Sequence, residues 1–267
     1  MSVEIGLALG GGAMRGMAHI GVLQVLEEHD IKVKYLTGCS IGAVVGSAYA
    51  CGAPLDMLGK LALSLDEKDF VDVTVPRLGF IRGNRAMTII RTLTHDMNFE
   101  QTKIPFAVNA VDLQSGECVT FNSGKIYPAV RASMAVPGVF EPANIGGRQL
   151  VDGGVAQRVP LKVAKAMGDA LLVGVDVGYR GSERAEKASG TIDVIRRSLD
   201  LMEWEMAKGY ETLADVMILP QVQHIIPISL RQAEECIALG RDAALLKVDE
   251  IIEKAGEREK ASVADDQ

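Results

Sequence analysis

The chain has 267 residues, of which 48% are hydrophobic and 24% charged, and its formal net charge at pH 7 is −7. A chain of this length can form one large domain with a well-buried core. Because acidic and basic residues are mixed and no basic stripe stands out, we expect no nucleic-acid partner.

Short apolar runs alternate with helical segments through the first half of the chain. Strands are predicted at residues 3–9, 33–37, 104–112 and 118–121, and helices at residues 17–29, 41–51, 54–65, 84–94 and 127–134. Residues 66–82 are predicted to be irregular, because they contain proline and glycine and lack a clear helical or strand period.

The second half continues this alternation. A strand is predicted to end at Asp152, and it is followed by a helix at residues 161–167, a strand at 170–177, a helix at 191–213, a strand at 216–219 and a closing helix at 230–254. Several strands are apolar on both faces, which is typical of a mainly parallel sheet covered by helices on both sides. The sequence therefore predicts an α/β fold in a single domain over residues 5–255, with a flexible tail at residues 256–267.

The sequence shows none of the usual targeting or metal-binding signals. The N-terminus lacks the basic region of a signal peptide, and no window approaches the roughly 18 uncharged apolar residues that a membrane span needs. The four cysteines, Cys39, Cys51, Cys118 and Cys236, show no metal-ligand spacing and are expected to be free thiols. We therefore expect a cytoplasmic protein without a metal, one that could still contact a membrane surface through a local patch.

A glycine-framed serine lies between the second predicted strand and the helix after it. The segment reads Gly38-Cys39-Ser40-Ile41-Gly42. A G-x-S-x-G sequence on such a turn is typical of an exposed nucleophilic serine, and glycines at both ends avoid crowding in a tight turn. The alternative is that Ser40 only caps the helix through its side chain.

A glycine-rich loop follows the first predicted strand. It reads Gly10-Gly11-Gly12-Ala13-Met14-Arg15-Gly16, and successive backbone N–H groups in such a loop can stabilise an oxyanion. Arg15 could add positive charge there or fix the loop through a salt bridge. A dinucleotide-binding loop is the competing interpretation, and Gly10-x-Gly12-x-x-x-Gly16 fits a loose variant of its motif. The strict motif would need a glycine at position 15, and a dinucleotide would need an acidic residue after the second strand. The sequence has neither, so we expect no cofactor.

The serine also needs a base. Among the four histidines, only His224 fits the chain order serine, acid, histidine, and His19 is expected to be a helix-packing residue. Asp152 is the better candidate, because Gly153 and Gly154 let the backbone turn away and expose its carboxylate; otherwise it belongs to an ordinary Asp-Gly turn. Desolvation would have to strengthen it as a base. A Ser40–Asp152 pair and a Ser40–Asp152–His224 triad both remain open at this point.

These motifs together resemble those of the bacterial patatin-like phospholipases. The resemblance covers roughly residues 5–180 and rests on GGGAMRG, GCSIG, the Asp-Gly-Gly at residues 152–154, and the flanking segments at residues 18–23 and 131–138. It implies a three-layer α/β/α fold and a lipid acyl hydrolase that forms an acyl-serine intermediate without histidine, metal or cofactor. Carried over to this chain, Ser40 is the nucleophile and Asp152 the general base. The oxyanion loop would comprise Gly11, Gly12 and Ala13, supported by Gly10, Arg15, Gly16, Gly38, Gly42, Gly153 and Gly154.

The chain departs from the family pattern at two positions near these residues. Ala13 stands where glycine is frequent, and Cys39 stands where threonine is common; we expect the Cys39 side chain to point away from the cleft. Because neither departure removes a catalytic group, a non-catalytic regulatory member is the less favoured alternative. Residues 55–65 and 195–206 could form an acyl groove or lid, although such stripes are more often core-facing helix surfaces.

Overall fold

The computed structural model describes residues 3–72, 78–181, 187–188 and 190–265, and within these residues eight strands form one sheet. The strands are β1 (Val3–Leu9), β2 (Ile31–Gly38), β3 (Phe106–Asp112), β4 (Cys118–Phe121), β5 (Ala143–Ile145), β6 (Arg148–Asp152), β7 (Leu171–Val175) and β8 (Val216–Ile218). Their order across the sheet is β5-β6-β3-β2-β1-β7-β8, and β4 also pairs with β3.

The centre of the sheet is parallel and one side is antiparallel. Strands β3, β2, β1, β7 and β8 all pair in parallel, whereas β4 and β6 run antiparallel to β3 and β5 runs antiparallel to β6. The predicted mainly parallel α/β sheet is therefore confirmed. The three-residue strand β5 was not predicted, because so short a segment shows no recognisable alternation.

The helices follow the predicted order with small shifts at their ends. They are α1 (Ala18–Glu28), α2 (Ile41–Ala50), α3 (Leu55–Ser64), α4 (Glu67–Phe70), α5 (Asn84–Leu93), α6 (Ile126–Ser133), α7 (Gly154–Gln157), α8 (Leu161–Met167), α9 (Thr191–Ala207), α10 (Ala233–Leu245) and α11 (Val248–Asp265). A 3-10 turn at Ala13–Met17 precedes α1. Within the irregular segment predicted at 66–82, the short α4 forms, and residues 73–77 lie outside the described residues.

Two long helices predicted from the sequence are interrupted. The helix predicted at 191–213 ends at Ala207, just before Gly209, which has low helix propensity. The helix predicted at 230–254 divides into α10 and α11, because the Lys247 N–H donates to the Ala244 carbonyl three residues back and tightens the chain into a turn. Helix α11 continues to Asp265, into the segment from residue 256 that we expected to be a flexible tail. The flexibility of that segment stays a prediction.

Helices cover both faces of the sheet. Side chains of β1 alternate between the faces, as the strand period requires. Ile5, Leu7 and Leu9 belong to the larger core cluster, which includes residues of α1, α2 and α10, whereas Ala8 belongs to a second cluster with Leu161 of α8. The predicted three-layer arrangement is thus confirmed. In the part of the chain that the structure describes, no helix combines the length and the apolarity that a membrane span requires.

The topology brings the predicted site segments to one edge of the sheet. Leu9 at the end of β1 pairs with Gly38 at the end of β2, and Gly38 also pairs with Val108 of β3. Two residues further along β3, Ala110 pairs with Asp152, the last residue of β6. The loops that follow β1, β2 and β6 therefore meet, and this edge of a parallel sheet is where α/β proteins bind ligands.

Candidate active site

Ser40 occupies a strained turn between β2 and α2. Its φ and ψ are 53° and −122°, a region that non-glycine residues rarely adopt and that persists only where the surroundings hold it. The Cys39 N–H donates to the Leu9 carbonyl at 3.0 Å, and the Gly42 N–H donates to the Cys39 carbonyl at 2.8 Å. The Ser40 side chain makes no capping bond within the described part of the chain. Ser40 therefore occupies the N-cap position of α2, but its side chain does not act as the cap.

The glycines around Ser40 are required by close packing. A Cβ on Gly42 would lie 2.2 Å from the Leu9 carbonyl oxygen, and one on Gly38 would lie 2.6 Å from the Ala43 Cα. Both distances are shorter than a non-bonded contact of a Cβ atom allows, so a side chain at either position would displace the neighbouring backbone. Gly16 is held in the same way, because a Cβ there would overlap the side chain of Ile41.

Asp152 lies beside Ser40 and is buried. The Gly154 N–H donates to Asp152 Oδ1 at 2.8 Å, the Cys39 thiol lies 3.7 Å from the same oxygen, and the Ser40 side chain is close enough to the carboxylate to lower its pKa. Burial raises the pKa of Asp152 to about 6, although the interactions with Ser40, Gly154 and Cys39 each act to lower it. The carboxylate is thus a stronger base than an exposed aspartate, and it stays mostly ionised at pH 7.

Cys39 supports Asp152 from the side away from the cleft. The residue is fully buried and is not among the described residues that line the cleft, which agrees with the expected direction of its side chain. Burial, followed by the charge of Asp152, raises the pKa of the Cys39 thiol well above its usual value. The thiol therefore stays protonated and acts as a weak donor to Asp152.

Ser133 joins the segment of Ser40 to the segment of Asp152, a role that no motif in the sequence indicates by itself. Its hydroxyl oxygen accepts the Ser40 N–H at 2.9 Å, and its carbonyl accepts the Gly153 N–H at 3.3 Å. The next residues extend the contact, since the Asp152 N–H donates to the Ala135 carbonyl at 2.9 Å. Ser133 lies within residues 131–138, one of the segments that carry the family resemblance. This position is the only indication in the sequence that Ser133 belongs to the site.

The glycine-rich loop offers fewer free donors than expected. The Gly11 N–H donates to the Arg158 carbonyl at 2.9 Å, so the expectation that Gly11 contributes an oxyanion donor is corrected. The N–H groups of Gly12 and Ala13 have no hydrogen-bond partner among the described residues, and both residues line the cleft together with Ser40. These two N–H groups are therefore available to an anion in front of the serine. The Gly10 N–H is bound to the Val175 carbonyl at 2.9 Å.

Two buried side chains hold this loop in place. The Arg15 guanidinium donates to the Ile225 carbonyl at 3.4 Å, so Arg15 fixes the loop through a carbonyl while also lining the cleft. His19 Nε2 lies 2.8 Å from the Gly10 carbonyl oxygen, and burial lowers the pKa of His19 to about 4. His19 is therefore neutral at pH 7 and donates to Gly10, which confirms a packing role.

Arg158 and Asp176 form a buried ion pair behind the loop. Arg158 Nη2 lies 2.6 Å from Asp176 Oδ2, and their side chains are 1% and 0% exposed. The backbone carbonyl of Arg158 accepts the Gly11 N–H. The pair therefore fixes the position of the segment against which the glycine-rich loop rests.

Replacing Arg158 with methionine is expected to lower the free energy of unfolding by roughly 3–5 kcal/mol, because Asp176 would remain buried without its partner. Arg241→Met removes a more exposed pair with Glu28 and is expected to have a much smaller effect. Urea denaturation of both variants measures the difference. An equal loss of unfolding free energy in the two variants would contradict the argument that burial makes the Arg158–Asp176 pair more important for stability.

His224 lies apart from this group. Its side chain is 55% exposed, and Nε2 lies 2.8 Å from Glu235 Oε1. His224 is not among the described residues that line the cleft, and the hydrogen bonds found for Asp152 come from other residues. The contacts therefore favour the Ser40–Asp152 pair over the triad.

An apolar cleft of about 260 Å³ opens in front of Ser40. Its walls include Phe70, Ile81, Val139, Phe140, Leu199 and Ile228, and one side carries Arg15, Arg196, Asp200 and Glu203. Of the two stripes considered as an acyl groove, α9 lines this cleft through Leu199, whereas α3 faces a separate apolar cavity of about 50 Å³. Among the described residues, His, Cys, Asp and Glu do not gather into a group of three or more that could hold a metal ion.

Comparisons with known proteins identify the family of the chain. The family described as patatin-like phospholipase matches residues 7–165. An uncharacterised NTE family protein of Mycobacterium tuberculosis is 37% identical over 185 residues, covering 68% of this chain and 51% of that protein. A lysophospholipase of Cryptococcus neoformans, NTE1, is 33% identical over 183 residues, covering 66% of this chain and 11% of that protein. The match thus spans about half the length of the mycobacterial relative.

A solved structure supports the fold independently. VipD from Legionella pneumophila superimposes with a TM-score of 0.64 and 14% sequence identity, covering 93% of this chain and 67% of that chain. At this identity the likeness concerns the fold alone.

Proposed function

The chain belongs to the patatin-like phospholipase family, and from that premise we propose that it hydrolyses carboxylic esters of lipids through Ser40 and Asp152. One observation carries this proposal. A serine in a strained turn and a buried aspartate lie beside each other in the wall of an apolar cleft, next to two backbone N–H groups that have no partner among the described residues. This combination supplies a nucleophile, a base and an oxyanion site at one point.

In the proposed acylation step, Ser40 Oγ attacks the ester carbonyl carbon while Asp152 accepts the hydroxyl proton. Negative charge then develops on the carbonyl oxygen, and the N–H groups of Gly12 and Ala13 stabilise it. A single donor of this kind typically contributes about 3–4 kcal/mol of transition-state stabilisation. The C–O bond of the tetrahedral intermediate breaks, and the leaving alcohol or lysolipid takes the proton from Asp152.

Deacylation repeats these roles with water as the nucleophile. Asp152 accepts a proton from water, water oxygen attacks the acyl carbon, and Ser40 Oγ leaves and regains the proton. The products are a fatty acid and free enzyme. The cycle transfers protons and an acyl group only, so it requires no redox cofactor.

The cleft favours an acyl chain as the group next to Ser40. Its apolar walls match the (CH₂) groups of a lipid, which gain about 0.8 kcal/mol each on leaving water. Two apolar side chains on the same segments are also exposed: Ile228 lines the cleft and is 70% exposed, and Met202, on the helix that supplies Leu199, is 61% exposed. We propose that these residues contact a membrane surface transiently while the substrate enters.

A panel of lipid esters with mass-spectrometric detection of products tests the proposal. We expect release of free fatty acid by the wild-type protein and none above background by Ser40→Ala. The panel also distinguishes a hydrolase from a non-catalytic regulatory member of the family, since the latter would release no acyl group from any lipid. That result, obtained with correctly folded protein, would overturn the proposed function.

A further inference from the structure

A second carboxyl group lies close to Asp152 and belongs to helix α9. Arg196, Leu199, Asp200 and Glu203 line the cleft from one face of that helix, at helical spacing. Glu203 therefore faces the same cleft as Ser40 and Asp152, although it is 51 residues further along the chain.

Gly154 shows how closely the two carboxyl groups approach each other. A Cβ on Gly154 would lie 2.8 Å from Glu203 Oε1 and 3.1 Å from Asp152 Oδ1. The two oxygens therefore lie less than about 6 Å apart. Asp152 Oδ1 is bound by the Gly154 N–H, whereas Glu203 forms neither a hydrogen bond nor an ion pair with any residue that the structure describes.

The positive charges that face Glu203 are already engaged. Arg158 pairs with Asp176, Arg196 pairs with Asp193 and Asp200, and Arg15 donates to the Ile225 carbonyl. The nearby acids Asp152, Asp200 and Asp176 disfavour a further negative charge, and the charge of Arg158 partly offsets them. Burial, followed by the charge of Asp152, raises the pKa of Glu203 to about 8.

We propose that Glu203 holds a proton beside Asp152, so that the cleft carries a single carboxylate charge next to Ser40, and that ionisation of Glu203 suppresses hydrolysis. This inference rests on the proposed function. The physical reason is electrostatic, because a second negative charge would oppose the oxyanion that forms in front of Gly12 and Ala13. The proton stays on Glu203 throughout the cycle, so Glu203 sets the charge of the site and takes no part in bond making.

The pH dependence of kcat/KM for a neutral, soluble ester tests this inference. For the wild-type protein we expect activity to rise with pH as Asp152 ionises near pH 6, and to fall as Glu203 ionises near pH 8. Glu203→Gln is neutral at every pH, so it should retain the acid limb and lose the alkaline limb. The ratio of variant to wild-type activity should then be about tenfold higher at pH 9 than at pH 7.

Two further variants control for other effects of the substitution. Glu205 lies on α9 like Glu203, but its carboxylate is exposed and pairs with Lys208. Glu205→Gln should therefore keep both the acid and the alkaline limb of the pH profile. Glu203→Asp should restore an alkaline limb, because it restores a titratable group. An alkaline limb that is unchanged in Glu203→Gln would overturn the inference.

A measurement independent of turnover separates this inference from the proposed function. Carbon-13 NMR of glutamate carboxyl groups in Ser40→Ala, with the Glu203 signal assigned by its loss in Ser40→Ala/Glu203→Gln, should show a titration midpoint near 8. A midpoint in the ordinary range near 4.3 would overturn it. Absence of hydrolysis in every variant would overturn the proposed function instead, and the NMR titration would still decide the protonation of Glu203.

Discussion

Replacing Ser40 with alanine is expected to reduce ester hydrolysis to background, a loss of at least about ten-thousand-fold in kcat/KM. The variant removes the hydroxyl that lies beside the Asp152 carboxylate, and with it the atom that would form the acyl-enzyme. Hydrolysis of a short-chain nitrophenyl ester measures the effect directly.

Ser47→Ala is a matched control for this variant. Ser47 is a buried residue of α2, the helix that follows Ser40, and its hydroxyl donates to the Val44 carbonyl. Ser47 is not among the described residues that line the cleft. Ser47→Ala should hydrolyse the ester at nearly the wild-type rate. If Ser40→Ala retained the activity of the control, Ser40 would not be the nucleophile.

Asp152→Asn is expected to reduce kcat by about a thousand- to ten-thousand-fold, because the amide has nearly the same shape but cannot accept the Ser40 proton. His224→Ala should change activity less than about twofold, since His224 is bound to Glu235 at the surface. Thermal unfolding of both variants checks that the fold is retained. If His224→Ala were the inactive variant and Asp152→Asn retained activity, the dyad would be wrong and a histidine base would have to be sought.

The larger features of the fold could be predicted because they have long, regular patterns. The apolar runs of β1, β2 and β3 and the helical periods of α1 and α2 were recognised close to their observed ends. The antiparallel edge was harder, since β5 has three residues and α7 has four, too few to show a period. The turn between α10 and α11 lies within a continuous helical pattern, so local propensity did not reveal it.

The site could be predicted where a motif marks it. Ser40 and Asp152 are 112 residues apart, and only the sheet topology brings them together. Each is nevertheless marked by a strand and by glycines, since Ser40 follows β2 between Gly38 and Gly42 and Asp152 ends β6 before Gly153. Gly11 shows the limit of such reasoning, since its N–H is taken by the Arg158 carbonyl, a contact between distant segments. Glu203 shows another limit, because an acidic residue on a charged helix normally faces solvent. Its position over Gly154 depends on how α9 packs against the site.

Labelling with a fluorophosphonate probe, followed by mass spectrometry of the digested protein, tests the central claim most directly. The probe reacts with an activated serine without requiring knowledge of the natural lipid, so it reports on the nucleophile itself. We expect one adduct, on the peptide that contains Ser40, no adduct in Ser40→Ala, and much slower labelling in Asp152→Asn. An adduct on another residue, or no adduct on protein that hydrolyses esters, would contradict the assignment of Ser40 and Asp152.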